Sequence, residues 1–278
     1  MQMPIKSNHI PPIGDYTNLF ERLSKYISRF DEKWVNEIEP AKKESIDTLK
    51  NLTQINNYNY HYPKEYEIYL NYMGQDDKGL LKTQLPGYAS ISEIIDSYEA
   101  IHEEAPDTLS DKYVHFFQKE LFDGQLSFDF TQTDNPQIVM TNEDSQFVSY
   151  FADNFEKLLF QCAFSKYESL NYDKCIMFTG SPNMLKEAIQ RHNESDVLSI
   201  IDKFSKTYDF QRAWFSDLTH HIGFKDGISF YIESRNNALC GFIVGDLDKQ
   251  IDIIGETLLA ELCVNKKIKI SPCIYERG

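Results

Sequence analysis

The sequence predicts an α+β fold, in which an antiparallel sheet packs with helices and a smaller α+β unit follows toward the C-terminus. Two patterns predict it. Apolar residues recur every three to four positions in some segments, which is typical of one-sided helices, and alternate with polar residues in others, which is typical of half-buried strands. The chain has 278 residues, of which 41% are hydrophobic and 26% charged, so it can bury a core as one large or two ordinary domains.

The N-terminal part is predicted to be an irregular arm followed by helices. Residues 1–14 hold three prolines and a glycine, which disfavour a helix. Apolar residues spaced three to four apart then predict a helix over 19–34, and Pro40 interrupts this pattern. Two further helices are expected, a short one around Ile46 and Leu49 and one over 63–74.

The strongest helix pattern covers residues 91–104. Ser90 and Glu93 have the spacing of a capping box, in which each side chain bonds the backbone N–H of the other at the helix start. Isoleucines share one face with Tyr98, whereas carboxylates occupy the opposite face. Such a row is typical of a solvated face, but the surrounding excess of acid also favours contact with a partner.

Residues 113–140 are predicted to form an antiparallel meander. Three strands are expected, over 113–117, 126–130 and 137–140, and the pair Asp123-Gly124 predicts the first hairpin. A helix is then expected to begin at Ser145 and to run to Cys162, because apolar residues recur there at helical spacing.

The C-terminal part is predicted to be the smaller α+β unit. The expected elements are a helix over 183–205, strands over 228–233 and 239–244, and a helix over 251–263. The resulting domain division is an N-terminal arm and helix (1–33), an acidic binding domain (34–165) and a C-terminal extension of unknown role (166–278).

Nearly all the negative charge lies in one segment. Residues 51–165 hold 19 Asp and Glu against 6 Lys and Arg, whereas residues 1–50 are balanced at 8 against 8 and residues 166–278 hold 16 against 14. A domain-sized acidic block attracts cationic partners and repels nucleic acid and anionic lipid. The cationic run 266–269 is expected to be a strand edge or a tail, so nucleic-acid binding is not predicted.

The sequence predicts a cytoplasmic protein. Its five cysteines have no C-x-x-C spacing, stand among apolar residues and are interpreted as buried free thiols in a reducing compartment: Cys162, Cys175, Cys240, Cys263 and Cys273. The first residues lack the apolar core of a signal peptide, and no run of 18 apolar residues could span a bilayer. Membrane association is therefore not expected, and the oligomeric state stays open.

Common catalytic and phosphate-binding motifs do not occur, so no catalytic residue, metal or cofactor is predicted. Two weaker patterns keep an enzyme as an alternative. Asp217, His220 and His221 could contribute to a metal site if they were helical, although a polar loop or helix end is favoured. Asp246 and Asp248 follow a strand and resemble a metal–nucleotide acidic pair, but they also suit an ordinary turn.

Four short segments occur in a familiar order. They are a proline–tyrosine–leucine–glycine helix at 63–74, the helix start at 92–95, a glycine-centred hairpin at 123–129 that ends in an aspartate, and a closing helix at 152–159. Over about residues 34–164 this resembles the SUKH superfamily, although Asn154 stands where serine is common. Fungal members of that superfamily are cell-wall synthesis regulators, and bacterial members are mostly toxin-immunity proteins. The resemblance implies a binding fold that sequesters toxin domains, many of them basic nucleases or deaminases.

Charge and resemblance together predict a non-enzymatic immunity-type protein that binds and neutralises a basic toxin domain through an acidic surface. The alternatives are a scaffold or regulatory interaction module without a toxin partner, and an enzyme that uses the C-terminal half. The expected partner contacts are seven acidic residues and three tyrosines, of which the last tyrosine lies on the apolar face of its helix: Asp76, Asp77, Glu93, Asp96, Glu99, Glu103, Glu104, Tyr72, Tyr88 and Tyr98.

Overall fold

A computed structural model describes residues 18–53, 60–83, 85–119, 124–131, 135–193, 196–235, 238–246, 250–262 and 265–269. The chain divides into two compact units between Lys166 and Tyr167. Each unit combines helices with an antiparallel sheet, which confirms the predicted α+β fold class. The irregular arm expected at 1–14 lies outside the described residues.

The described part of the first unit contains six α-helices and one five-stranded sheet. The helices are α1 (Leu19–Ile27), α2 (Trp34–Glu37), α3 (Lys43–Leu52), α4 (Lys64–Met73), α5 (Ile91–Glu104) and α6 (Phe155–Ala163). The strands are β1 (Gly87–Tyr88), β2 (Tyr113–Lys119), β3 (Gln125–Asp129), β4 (Gln137–Thr141) and β5 (Phe147–Ala152). They lie side by side in chain order, each antiparallel to the next, as a meander.

An aromatic cluster joins the sheet of the first unit to its helices. The ring of Tyr66 on α4 lies 5.1 Å from those of Phe128 on β3 and Phe155 on α6, measured between centroids. Phe116 of β2 lies 4.5 Å from Phe128, and these rings are almost completely buried. Such edge-to-face and tilted pairs stabilise a core beyond the area that they bury.

Helix α1, which the sequence placed in a separate N-terminal segment, packs on α4 and α6 within the first unit. Arg22 of α1 forms an ion pair with Glu156 of α6, and the ring of Tyr26 lies 5.5 Å from that of Phe160. The helix expected over 19–34 is therefore interrupted, because α1 ends at Ile27 and a separate turn of helix begins at Trp34.

One element of the first unit was predicted wrongly. Residues 147–152 form the edge strand β5 and not the start of a helix. The following helix α6 begins with Asn154 as its N-cap, whose side chain accepts a hydrogen bond from the Lys157 N–H at 2.9 Å. Ser145, the expected cap, lies in the turn before β5 with a φ of 55°. The capping box of α5, in contrast, is confirmed at Ser90 and Glu93.

The second unit packs three helices against one face of a six-stranded sheet in its described part. The helices are α7 (Pro182–His192), α8 (Val197–Thr207) and α9 (Ile251–Leu262). The strands are β6 (Lys174–Gly180), β7 (Gln211–Arg212), β8 (His220–Lys225), β9 (Ile228–Arg235), β10 (Ala238–Gly245) and β11 (Asn265–Lys269), arranged in the order β11-β6-β10-β9-β8-β7. Apolar residues such as Ile176, Phe230 and Ile243 form one core with Phe204 and Leu258 of the helices.

Predictions for the second unit are confirmed for the β9–β10 pair and for helix α9. The single helix expected over 183–205 is two helices, α7 and α8. Strands β6 and β8 were not predicted. The cationic run 266–269 lies in β11, at one edge of the sheet, as the sequence indicated.

The cysteines are less uniformly buried than expected. Cys162 is buried in α6, Cys175 is half-buried, and Cys240 is exposed because it lies on the face of β10 opposite Leu239. The interpretation of all five as buried thiols is therefore wrong for Cys240, and Cys263 and Cys273 lie outside the described residues. None of the helices in the described ranges is long and apolar enough to cross a bilayer.

Candidate functional site

An open cleft of about 450 Å³ lies in the first unit at the start of helix α5. Its walls include the carboxylates of Glu39, Asp76 and Glu93. An isolated β-bridge brings two of these walls together: the Glu39 N–H donates to the Asp76 carbonyl at 2.9 Å, and the Asp76 N–H donates back at 3.1 Å. The cleft therefore gathers acids that stand 37 and 17 positions apart in the sequence.

Two consecutive carboxylates, Asp76 and Asp77, precede a tight turn at the cleft. Lys78 and Gly79 adopt positive φ angles of 57° and 68°, a conformation that glycine accepts without strain. Asp76 stays half-buried at the cleft and accepts hydrogen bonds from the N–H and the ammonium of Lys78, at 2.7 and 3.0 Å. Burial opposes ionisation of Asp76, but the hydrogen bonds from Lys78 outweigh it and lower the pKa of this carboxyl.

Asp77 points inward and organises the floor of the cleft. Its Oδ1 accepts the Leu80 N–H at 2.9 Å, and its Oδ2 accepts the Leu81 N–H and the Tyr69 hydroxyl, both at 3.0 Å. Trp34 donates its indole N–H to the Asp77 carbonyl at 3.4 Å. Burial, and then the negative charge of Asp77, raise the pKa of Tyr69 well above its usual value, so its hydroxyl stays a donor.

Glu93 closes the other side of the cleft. Its Oε2 accepts the Ser90 N–H at 3.0 Å, the Ser90 hydroxyl at 2.7 Å and the Ala89 N–H at 3.2 Å. Its Oε1 lies 3.7 Å from the ammonium of Lys82. One carboxylate oxygen thus caps the helix, and the other is presented to the solvent side.

A row of carboxylates continues from the cleft along α5. Asp96, Glu99, Glu103 and Glu104 are all exposed, and at 1.5 Å per residue the row from Glu93 extends over about 16 Å. These four side chains form no ion pair with any residue in the part of the chain that the structure describes. We call this surface the acidic face, and it consists of Glu39, Asp76, Glu93, Asp96, Glu99, Glu103 and Glu104.

Two of the residues predicted to contact a partner are buried and do not belong to this surface. Asp77 is 5% exposed and holds the turn just described, and Tyr98 is 2% exposed. The Tyr98 hydroxyl donates to the carbonyl of His115 and accepts its N–H, at 3.3 and 3.0 Å, so it covers the backbone edge of β2. Both predictions are corrected, because these groups serve the interior of the fold.

The other two tyrosines are available at the surface, each at 43% exposure. Tyr72 stacks on Phe20 of α1, with the ring centroids 4.0 Å apart. Tyr88 lies in β1, and the Lys82 ammonium stands 5.7 Å from its ring centroid.

The residues proposed for an enzyme in the C-terminal half do not converge. Asp217 and His220 are close, with Oδ1 3.3 Å from Nδ1, but both side chains are fully buried and the carboxylate accepts the Thr219 and His220 N–H groups of a turn. His220 begins strand β8 and pairs with Glu233, whereas Asp246 bonds to Gly227 beyond the opposite end of β9, about 20 Å away at the rise of a strand. Asp248 lies outside the described residues.

His221 points to the face opposite His220, where its Nε2 lies 3.1 Å from the Ser234 hydroxyl. The helix that a metal site would need is therefore absent at 220–221, which begin a strand. Within the described ranges, no three His, Cys, Asp or Glu side chains are grouped as a metal site.

Sequence reasoning missed Glu39 and Lys82 as parts of the cleft. Glu39 reaches the cleft through a bridge to a residue 37 positions away, and no local pattern indicates that contact. Lys82 was not predicted to line the cleft because an isolated lysine in an acidic segment has no distinctive pattern. Compared with known proteins, the chain is matched by no family model, no curated protein and no solved structure.

Proposed function

We propose that this chain is a non-enzymatic immunity-type protein of the cytoplasm, which binds and neutralises a basic toxin domain such as a nuclease or deaminase. The observation that carries the proposal is the acidic face, where a carboxylate-lined cleft continues into a row of exposed, unpaired carboxylates on α5. Membership of the SUKH superfamily is part of the proposal and rests on the sequence segments that resemble it.

The physical basis is charge complementarity. Solvated carboxylates have no internal role that would explain their density, and a surface of one sign accelerates the approach of a partner of the other sign. The cleft adds a concave element into which a protruding cationic side chain of the partner fits. A toxin domain that needs a basic surface to hold nucleic acid would lose access to its substrate while this surface is covered.

The test begins with a pull-down from the native organism, using the tagged chain and washes at low and then high salt. We expect one stoichiometric basic protein, identified by mass. Association kinetics are then compared between the wild type and the triple variant Asp96→Lys, Glu99→Lys and Glu103→Lys. Because steering changes association rates by about 10-fold or more, the variant should bind at least tenfold more slowly at low salt.

A matched control reverses three other exposed acids of the first unit, Asp111, Glu143 and Asp144. It changes the net charge equally but leaves the acidic face intact. Raising the salt to 1 M, where the Debye length is about 3 Å, should bring all three proteins close together. Retention of many weak partners, or equal effects of both triple variants, would instead favour the scaffold alternative.

A further inference from the structure

A lysine of the chain itself is seated at the rim of the acidic cleft. The Lys82 ammonium lies 5.7 Å from the centroid of the Tyr88 ring and 3.7 Å from Oε1 of Glu93. The ring belongs to β1 and the carboxylate to the first turn of α5, so two separate elements present an aromatic face and a negative charge to one cation. This combination is a common way to bind an ammonium or guanidinium group.

The two groups are held in place without the lysine. The other carboxylate oxygen of Glu93 is fixed by the capping box, and the backbone of Tyr88 is held in the sheet by pairing with Gln118. Lys82 itself is loosely held. Its side chain is 40% exposed, and 3.7 Å exceeds the distance of a charge-assisted hydrogen bond. Exposed ion pairs of this kind contribute little stability.

We propose that Tyr88 and Glu93 form a subsite for one guanidinium group of the partner, and that Lys82 occupies this subsite until the partner displaces it. The inference rests on the proposed function, because it assumes a cationic partner at the acidic face. An arginine suits the subsite better than the lysine does, since a planar guanidinium stacks on an aromatic ring while its N–H groups reach a carboxylate oxygen. Lys82 then acts as an internal competitor that weakens binding to poorly matched cations.

The experiment uses N-acetylarginine N-methylamide as the probe, titrated into the isotope-labelled full chain and followed by amide chemical shifts around Tyr88 and Glu93. The citrulline analogue, which has the same shape without the charge, is the ligand control. Lys82→Met should tighten arginine binding about two- to fivefold, the factor that corresponds to losing one exposed cation–π contact. The citrulline analogue should bind neither protein.

The protein control is Lys112→Met, which removes the same charge from an exposed position of the first unit. It separates the local competition from the general effect of a more negative protein. A second variant, Tyr88→Leu, should abolish the gain produced by Lys82→Met, because the ring that holds either cation is then missing.

Equal affinities of the Lys82→Met and Lys112→Met variants would overturn the inference, and so would absence of arginine binding to both. Neither outcome affects the proposed function, which fails on a different result: the pull-down with the wild-type chain yields no basic partner. A loss of the gain in the Tyr88→Leu background would support the subsite, because no general charge effect depends on that ring.

Discussion

Asp77→Asn should destabilise the first unit, although it only replaces one carboxylate oxygen by an NH₂ group. In the better of its two orientations, the amide oxygen replaces Oδ2 and keeps the hydrogen bonds from Tyr69 and Leu81. The amide NH₂ then faces the N–H of Leu80, so one bond to a charged acceptor is lost and a buried donor is left unsatisfied. Together these effects cost about 3 kcal/mol.

The assay is urea and thermal unfolding followed by tryptophan fluorescence. The chain has two tryptophans, one in each unit, and Trp34 of the first unit is fully buried and bonded to the Asp77 carbonyl. In a Trp214→Phe background the fluorescence therefore reports the first unit alone. A loss of about 3 kcal/mol corresponds to a melting temperature roughly 6–12 °C lower for a unit of this size.

Asp76→Asn is the matched control, since it makes the same chemical change one residue earlier, where the carboxylate pairs with the solvent-exposed Lys78. We expect it to lower the stability by less than about 1 kcal/mol, because only a partly exposed ion pair is lost. If Asp77→Asn unfolds within about 0.5 kcal/mol of Asp76→Asn, a difference typical of neutral surface changes, the role assigned to Asp77 is refuted.

Two further predictions concern the first unit. Burial lowers the pKa of His115 from 6.5 to about 3. Below pH 6.5 the unfolded chain therefore binds a proton at this residue that the folded chain does not bind, and stability falls as the pH decreases from 6.5 toward 3. Between pH 6.5 and 4.5 this loss of unfolding free energy is about 2–3 kcal/mol. In His115→Phe, which keeps a ring stacked on Tyr98, urea unfolding at the two pH values should show a loss that is smaller by this amount. The exposed control His61→Phe should show the full loss. Asn154→Ala should cost about 1 kcal/mol by removing the N-cap of α6, whereas Ser145→Ala should have less effect; the reverse order in the same unfolding assay would contradict the assignment of the cap.

An element of the fold could be predicted where the interactions that form it lie close together in the sequence. Helix α5 was predicted with its bounds, because the capping box and the apolar stripe all lie within 15 consecutive residues. Strand β5 was not, because the register with β4 shifts twice along it. These irregularities break the alternation of a strand, with both Phe147 and Val148 exposed, so the apolar spacing resembles that of a helix.

Strand β8 was missed for a different reason. It begins with two histidines that are both buried, one on each face, and polar residues at such positions favour a loop in any local interpretation. The Nε2 atom of His221 lies within hydrogen-bond distance of Ser234 on the neighbouring strand, 13 residues later in the chain. Burial also lowers the pKa of His221 to about 4, so the ring enters the fold neutral. Only the tertiary partner explains why this segment is a strand.

In the candidate site, too, local sequence could not predict the roles of two neighbouring residues. Asp76 and Asp77 are indistinguishable in the sequence, and both were predicted to contact a partner. Their hydrogen-bond partners nevertheless differ, because the Asp76 carboxylate accepts from Lys78 whereas the Asp77 carboxylate accepts from Tyr69, Leu80 and Leu81. Local composition predicts that a turn occurs here, but the direction of each side chain depends on what packs beneath it.

Some carboxylates of this region stabilise the fold and others are only exposed at the surface, and this difference determines which substitutions can report on binding. Asp77 and the Oε2 atom of Glu93 stabilise the fold, so a variant at either position that lost a partner could have lost the surface with it. Asp96, Glu99 and Glu103 are exposed and unpaired within the described residues, so their reversal should leave the urea midpoint unchanged. A triple variant that fails to bind while unfolding like the wild type would therefore locate the contact on the acidic face, and a shifted midpoint would show that this row also has a structural role.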